Sequence, residues 1–187
     1  MNRWIVATTL FAITTIHAFG QGGIFEFTNV GTTPDRHIYV GEYMGPVKAE
    51  GPGYQIAIFY GPEGTLDDSA LVQLGAAISF LTQGQFSGGV RPVSSPDPGP
   101  VFAFQARAWD SSGGDLTWAQ AVANPNGRYG KGPVFDMKTK DPFDPSEQTP
   151  KIGESAGWRG FAIVPEPSVW GIALLGVAGL LLFRRRR

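Results

Sequence analysis

Residues 101–109 read Val-Phe-Ala-Phe-Gln-Ala-Arg-Ala-Trp. Successive side chains of a strand point to opposite faces. Read as a strand, this stretch sets Phe102, Phe104, Ala106 and Ala108 against Val101, Gln105, Arg107 and Trp109. Other extended runs lie on either side of it. Residues 54–60 put Tyr54, Ile56, Ile58 and Tyr60 on one face and Gln55, Ala57 and Phe59 on the other. Residues 24–28 alternate, with Phe25 and Phe27 together. Shorter runs stand at 37–40 and 160–164, and a weaker one at 76–81. Turn clusters separate them: Gly51-Pro52-Gly53, Gly61-Pro62-Glu63-Gly64, the Pro-rich 94–100 and Ser111-Ser112-Gly113-Gly114. Short apolar runs broken by such turns predict a mostly β fold, an antiparallel β-sandwich-like domain.

Three further expectations follow from local pattern. Residues 115–123 form a short helix capped by Asp115, with Leu116, Ala119 and Val122 on one face. Residues 136–157, poor in apolar groups, form a long surface loop or meander. The small residues of 84–100 form a mobile segment.

Composition narrows the classes. Of 187 residues, 26 are Gly and 15 are Pro, far above average usage, which argues against a helical bundle. The 18 aromatic residues from Phe25 to Phe161 argue against disorder. No cysteine is present, so disulfides, thiolate metal sites and cysteine nucleophiles are all excluded. The formal charge of −1 averages unlike parts. Residues 21–164 hold 10 Lys/Arg against 15 Asp/Glu, while Arg184, Arg185, Arg186 and Arg187 crowd the other end. An acidic middle without a basic patch speaks against a nucleic-acid partner.

The two apolar ends read as addresses. Arg3 precedes the apolar residues 4–19, and Ala18 and Gly20 are small residues at the −3 and −1 positions of a cut before Gln21. That is the form of a signal peptide over 1–20, removed by signal peptidase. Residues 169–183 are apolar throughout and about 22 Å long as a helix, a short transmembrane span of a hydrocarbon core about 30 Å thick. The four Arg behind it predict a cytoplasmic tail, with residues 21–164 on the far side of the membrane.

Immediately before that span stands Val164-Pro165-Glu166-Pro167-Ser168. The tripeptide alone is unspecific. The compound order is far more so: Pro165-Glu166-Pro167, a short Gly-containing apolar helix at 169–183, then the Arg cluster 184–187. This resembles the C-terminal sorting signal of PEP-CTERM proteins over residues 164–187. The resemblance implies a Gram-negative exopolysaccharide producer, export, transient anchoring in the inner membrane, and processing by an exosortase, with the mature part at the cell surface or secreted. Pro165, Glu166 and Pro167 would be the recognition element. The expected organisation is then signal peptide 1–20, β-rich exported domain 21–163 and sorting signal 164–187. Exopolysaccharide is the candidate partner of the mature part.

The middle carries little chemistry. His37 is its only histidine, so a Ser-His-Asp triad or a histidine metal site would depend on it, and no nucleophile-elbow pattern occurs. Asp67-Asp68 and Asp110 to Asp115 offer oxygens for calcium, but without EF-hand spacing, and read first as turn and cap residues. No Gly-rich phosphate loop is present. The expectation is a non-enzymatic protein without catalytic residue, cofactor or metal, structural or adhesive in a polysaccharide layer. A carbohydrate-binding module is the alternative and a polysaccharide hydrolase the third reading. Trp109 is the candidate glycan contact, since an exposed Trp is a flat platform for a sugar ring; otherwise it covers the sheet's edge.

Overall fold

The computed structural model describes residues 22–95 and 97–165. The expected signal peptide 1–20, Gln21, the expected membrane span 169–183 and Arg184 to Arg187 lie outside the described residues. Among the described residues no helix is long and apolar enough to cross a membrane. In chain order the elements are β1 (Gly23–Thr28), β2 (Ile38–Val40), β3 (Tyr54–Pro62), β4 (Val72–Gln73), β5 (Ile78–Ser79), β6 (Ser87–Val93), β7 (Val101–Asp110), α1 (Trp118–Ala123), β8 (Arg128–Lys131), β9 (Phe135–Lys138) and β10 (Phe161–Pro165). The protein is mostly β, as the alternating runs imply.

The centre is the antiparallel pair of β3 and β7, in unbroken register from Tyr54 opposite Asp110 to Pro62 opposite Phe102. Large and small side chains alternate across it: Ile56 faces Ala108 and Ile58 faces Ala106. The sheet runs β2-β10-β8-β7-β3-β4, with β9 continuing the line of β8 along β7 and β5 alongside β4 on β3. β10 and β2 pair in parallel, so the sheet is mixed rather than purely antiparallel. The second layer is only a two-stranded ribbon of β1 and β6.

The ribbon packs its aromatics onto the sheet. Phe25 meets Phe104 of β7 with ring centroids 4.8 Å apart, while Phe27 packs within the ribbon on Phe86, just before β6, at 4.8 Å. Ile56, Ile58, Ala106, Ala108 and Ile163 belong to the same main core, with Ile38, Phe135 and Trp158. The other face of β3 and β7 is covered too. Ala57, Phe59, Ala103 and Trp109 are buried there with Leu71 and Ala121. The faces read from the sequence for β3 and β7 therefore hold, but both are interior.

Several expectations are corrected. Residues 87–93 are not a mobile segment: they form β6 and hold Val93 in the core. Residues 136–157 are not one surface loop. Three of them continue β9, and Ile152 is fully buried. The helix starts later than expected, at Trp118, and Thr117 caps it. The Thr117 hydroxyl accepts from the Gln120 amide, and the Gln120 side chain accepts from the Thr117 amide, a capping box. Asp115 instead accepts a hydrogen bond from the Asn124 amide group. Leu116 and Val122 are exposed and Ala121 is the buried residue, because α1 is too short to bury a full stripe.

Gly84 shows why a small residue is needed between β5 and β6. Its φ is +76°, its amide donates to Ala49 O at 2.8 Å, and its carbonyl accepts from the Ile38 amide at 3.1 Å. A Cβ there would lie 2.4 Å from the Ile38 carbonyl oxygen. The loop is thus stitched to β2.

Candidate functional site

Of the expected sorting residues only Pro165 is described. It is the last residue of β10, exposed, and opposite Arg128 of β8. A proline donates no ladder hydrogen bond, and the end of a strand is where that costs least. Glu166, Pro167 and Arg184 to Arg187 lie outside the described residues, as do Ala18, Gly20 and Gln21 at the signal-peptide junction.

Trp109 is not a sugar platform. It is fully buried, its Nε1 donates to Asp115 O at 3.0 Å, and the Trp118 ring stands edge-on to it at 6.3 Å. Both faces of β7 are covered, so neither ring face of Trp109 is open to a ligand. Of the other two tryptophans in the middle, Trp158 is buried in the main core and Trp118 is half-buried at the surface.

The acidic pairs have local duties. Asp110 Oδ1 accepts from the amide and hydroxyl of Ser112, and Asp67 Oδ1 from those of Ser69. These are turn and cap bonds of the kind short acidic side chains make. The Ser69 bonds hold the Asp67 carboxyl below its ordinary pKa. Among the described residues no three His, Asp or Glu side chains come together as a metal site.

His37 is buried between β2 and the 82–85 turn. Its Nε2 lies 3.3 Å from Thr32 O and 3.3 Å from Gln85 Nε2, and its Nδ1 lies 3.5 Å from Lys48 Nζ. Burial first, then the Lys48 charge, push its pKa below 6.5, opposed by hydrogen bonding to the Thr32 and Gln83 backbone and, least, by Asp35. Because the folded state resists protonation, its full contribution is present above the unfolded pKa of about 6.5. It is lost as the pH falls through that value towards the lower folded one. The melting temperature of the wild type is expected to fall on acidification from pH 7 to pH 5, and His37→Gln to flatten that slope. An unchanged slope in the variant would assign the loss elsewhere.

The side-chain cluster with the most chemistry lies on the second face of the sheet. A cleft of about 300 Å³ is bounded by Asp68 in a short 3-10 turn, Arg107 on β7, Trp118 on α1, and Tyr129 and Lys131 on β8. Tyr129 and Lys131 are two apart on a strand and so share a face. Arg107 stands directly opposite Lys131 in the β7–β8 register. Asp68 mediates between these two cations. Its carboxylate pairs with the Lys131 ammonium, and its backbone carbonyl accepts from Arg107 Nη2.

The guanidinium of Arg107 is held rigidly. Its Nε donates to Gln105 Oε1 at 2.8 Å, and Gln105 Nε2 in turn donates to Gly132 O at 3.0 Å. Its carbon lies 3.9 Å from the Phe59 ring centroid and 5.5 Å from that of Trp118. Desolvated cation–π contacts of this kind contribute about 2 kcal/mol. Burial lowers the Arg107 pKa, partly offset by Asp68. Hydrogen bonding from Lys131 holds the Asp68 carboxyl below its usual range. Sequence reading placed Gln105, Arg107 and Trp109 on one face but could not join Asp68 to a lysine 63 residues away.

No known protein family, curated protein or solved structure matches the chain.

Proposed function

We propose that the chain is an exported, non-enzymatic envelope or matrix protein, delivered through a sorting signal of the PEP-CTERM kind. In this reading residues 1–20 are a signal peptide, the β domain is the sandwich-like cargo, and residues 169–183 anchor the precursor in the inner membrane. The observation that carries it is the order of Pro165-Glu166-Pro167, an uncharged apolar stretch at 169–183 and four consecutive Arg at 184–187. Positive flanks are retained on the cytoplasmic side, and Arg184 can reach the interface from a short span.

The end of the domain suits this role. β10 closes the sheet between β2 and β8 and runs out at the exposed Pro165. Pro165 and Pro167 deny the backbone two amide donors and disfavour helix at the residues before them. Glu166 between the two prolines would be the ionic handle for a processing enzyme of the exosortase class. A structural or adhesive role in a polysaccharide layer is the companion of this delivery route in the same reading.

The test is the double substitution Pro165→Ala, Glu166→Ala in cells that process the wild type. The expected result is a full-length precursor accumulating in the membrane fraction while the processed form disappears from the surface and medium. Normal processing and release of the variant would overturn the reading.

A further inference from the structure

We infer that the cleft between β8, α1 and the Asp68 turn is a binding site for a carboxylate-bearing pyranose, a hexuronate residue of an acidic glycan. The inference rests on the cleft's own chemistry and not on the sorting reading, so glycan binding and precursor processing succeed or fail separately.

The first argument is charge. Like charges directly opposite on neighbouring strands repel, and Arg107 faces Lys131 across the β7–β8 ladder. One carboxylate, that of Asp68, serves both cations. It pairs with Lys131, while Arg107 receives only the neutral carbonyl of Asp68 and the amide oxygen of Gln105. Among the side chains lining the cleft, two cations thus stand against one carboxylate, within a domain whose acidic residues outnumber its basic ones by five. A second anion is what the site lacks.

The second argument is the free donor. Arg107 is 8% exposed, and its Nε and Nη2 are engaged. Among the described residues its Nη1 has no hydrogen-bond partner, and Arg107 lines the cleft. A guanidinium fixed between two rings presents its remaining N–H groups in a plane matched to a carboxylate. Lys131, about half exposed, can swing from Asp68 to the same anion.

The third argument is the wall. Trp118 and Tyr129 stand edge to face with centroids 5.3 Å apart and border the same opening, and the exposed Val122 extends that apolar rim. Such a rim receives the C–H face of a flat ring while the charged floor takes an acidic substituent. The volume is at the lower end for small-molecule sites, about one sugar residue. A neutral sugar would leave the Arg107 donor uncompensated. A small inorganic anion would leave the aromatic rim unused.

The experiment titrates the full chain, solubilised in mild detergent, with trigalacturonate, with neutral cellotriose and with acetate, following tryptophan fluorescence and heat of binding. Trigalacturonate is expected to bind with a dissociation constant in the millimolar range or tighter, at least about tenfold more tightly than cellotriose or acetate, and more weakly as salt rises. Lys131→Gln is expected to weaken it about fivefold while melting within a few degrees of wild type, because the pair it breaks is partly exposed. Val122→Asp, a second surface change at the rim, should weaken it further by repulsion. Equal binding of trigalacturonate and cellotriose, equal binding of acetate, no binding at millimolar ligand, or wild-type affinity in both variants would each overturn the proposal.

Discussion

Trp158→Ala is expected to lower the folding stability by about 3–5 kcal/mol, the range for truncating a large buried aromatic. Trp158 is 1% exposed and bridges two parts of the main core, with Phe86 at 5.8 Å and Phe135 at 6.3 Å between ring centroids. Its Nε1 also donates to Arg36 O at 3.0 Å. Arg36 reciprocates through Nη1, which donates to Gly153 O at 2.7 Å and Ser155 O at 3.0 Å. The indole is therefore both a core plug and one side of a clasp between segments 34–36 and 152–158. Truncation leaves a cavity that neighbours tied into strands cannot collapse to fill. In urea the midpoint should drop with little change in slope, since the surface exposed on unfolding stays nearly the same. Trp158→Phe separates the two roles: it keeps most of the ring contacts and should cost about 1–2 kcal/mol for the lost hydrogen bond and volume. Equal losses in both variants would mean that the clasp, not the packing, dominates.

Asn29→Ala is the second large effect, about 3 kcal/mol. Asn29 is fully buried where the chain leaves β1. Its Nδ2 donates to Arg36 O at 3.1 Å and Gly84 O at 3.0 Å, and its Oδ1 accepts from the Phe86 amide at 2.8 Å. The three bonds do not count equally. The Arg36 carbonyl keeps the Trp158 indole, and the Gly84 carbonyl keeps the Ile38 amide. The Phe86 amide has no other partner among the described residues, and a buried unpaired N–H carries the full desolvation penalty, about 1–3 kcal/mol. Asn29→Asp should be worse at neutral pH. It retains the acceptor for Phe86 but replaces two donors by a buried carboxylate facing two carbonyl oxygens. Chemical denaturation of the pair checks both statements, and Asn29→Asp outlasting Asn29→Ala would reject this account.

Neither residue could be chosen from the sequence. Asn29 stands in Thr-Asn-Val-Gly, a stretch that reads as an ordinary turn. Its partners lie 7, 55 and 57 residues away, and nothing in local spacing links them. Trp158 directly follows the segment 136–157, which is poor in apolar groups, so no alternating run marks it as core. It is buried because Arg36 and the 152–155 carbonyls fold that segment back over the ribbon's end. The strand β6 was missed for a related reason. Its Ser-Gly-Gly-Val-Arg-Pro-Val sequence has little β propensity. Pairing with β1, from Gly23 opposite Val93 to Thr28 opposite Ser87, supplies what propensity lacks. The charged cleft shows the same limit. Gln105 and Arg107 were legible as one face of a strand, whereas Asp68 and Lys131 join them only through the turn before β4 and the β8 pairing.

Sequence alone determined the mostly β class, the faces of β3 and β7, and the likeness of residues 164–187 to a sorting signal. These are properties of period and order along the chain, which neighbouring residues settle between themselves. Tertiary structure decided which faces are interior. Alternation assigns a residue to a side, but burial depends on what crosses over that side. The same Val101–Trp109 run would have left Trp109 open had Trp118 of α1 and the Asp115 turn not covered it. Covering both faces removed the expected sugar platform. It also trapped Arg107 against Phe59, opposite Lys131, where its charge has a single carboxylate to share.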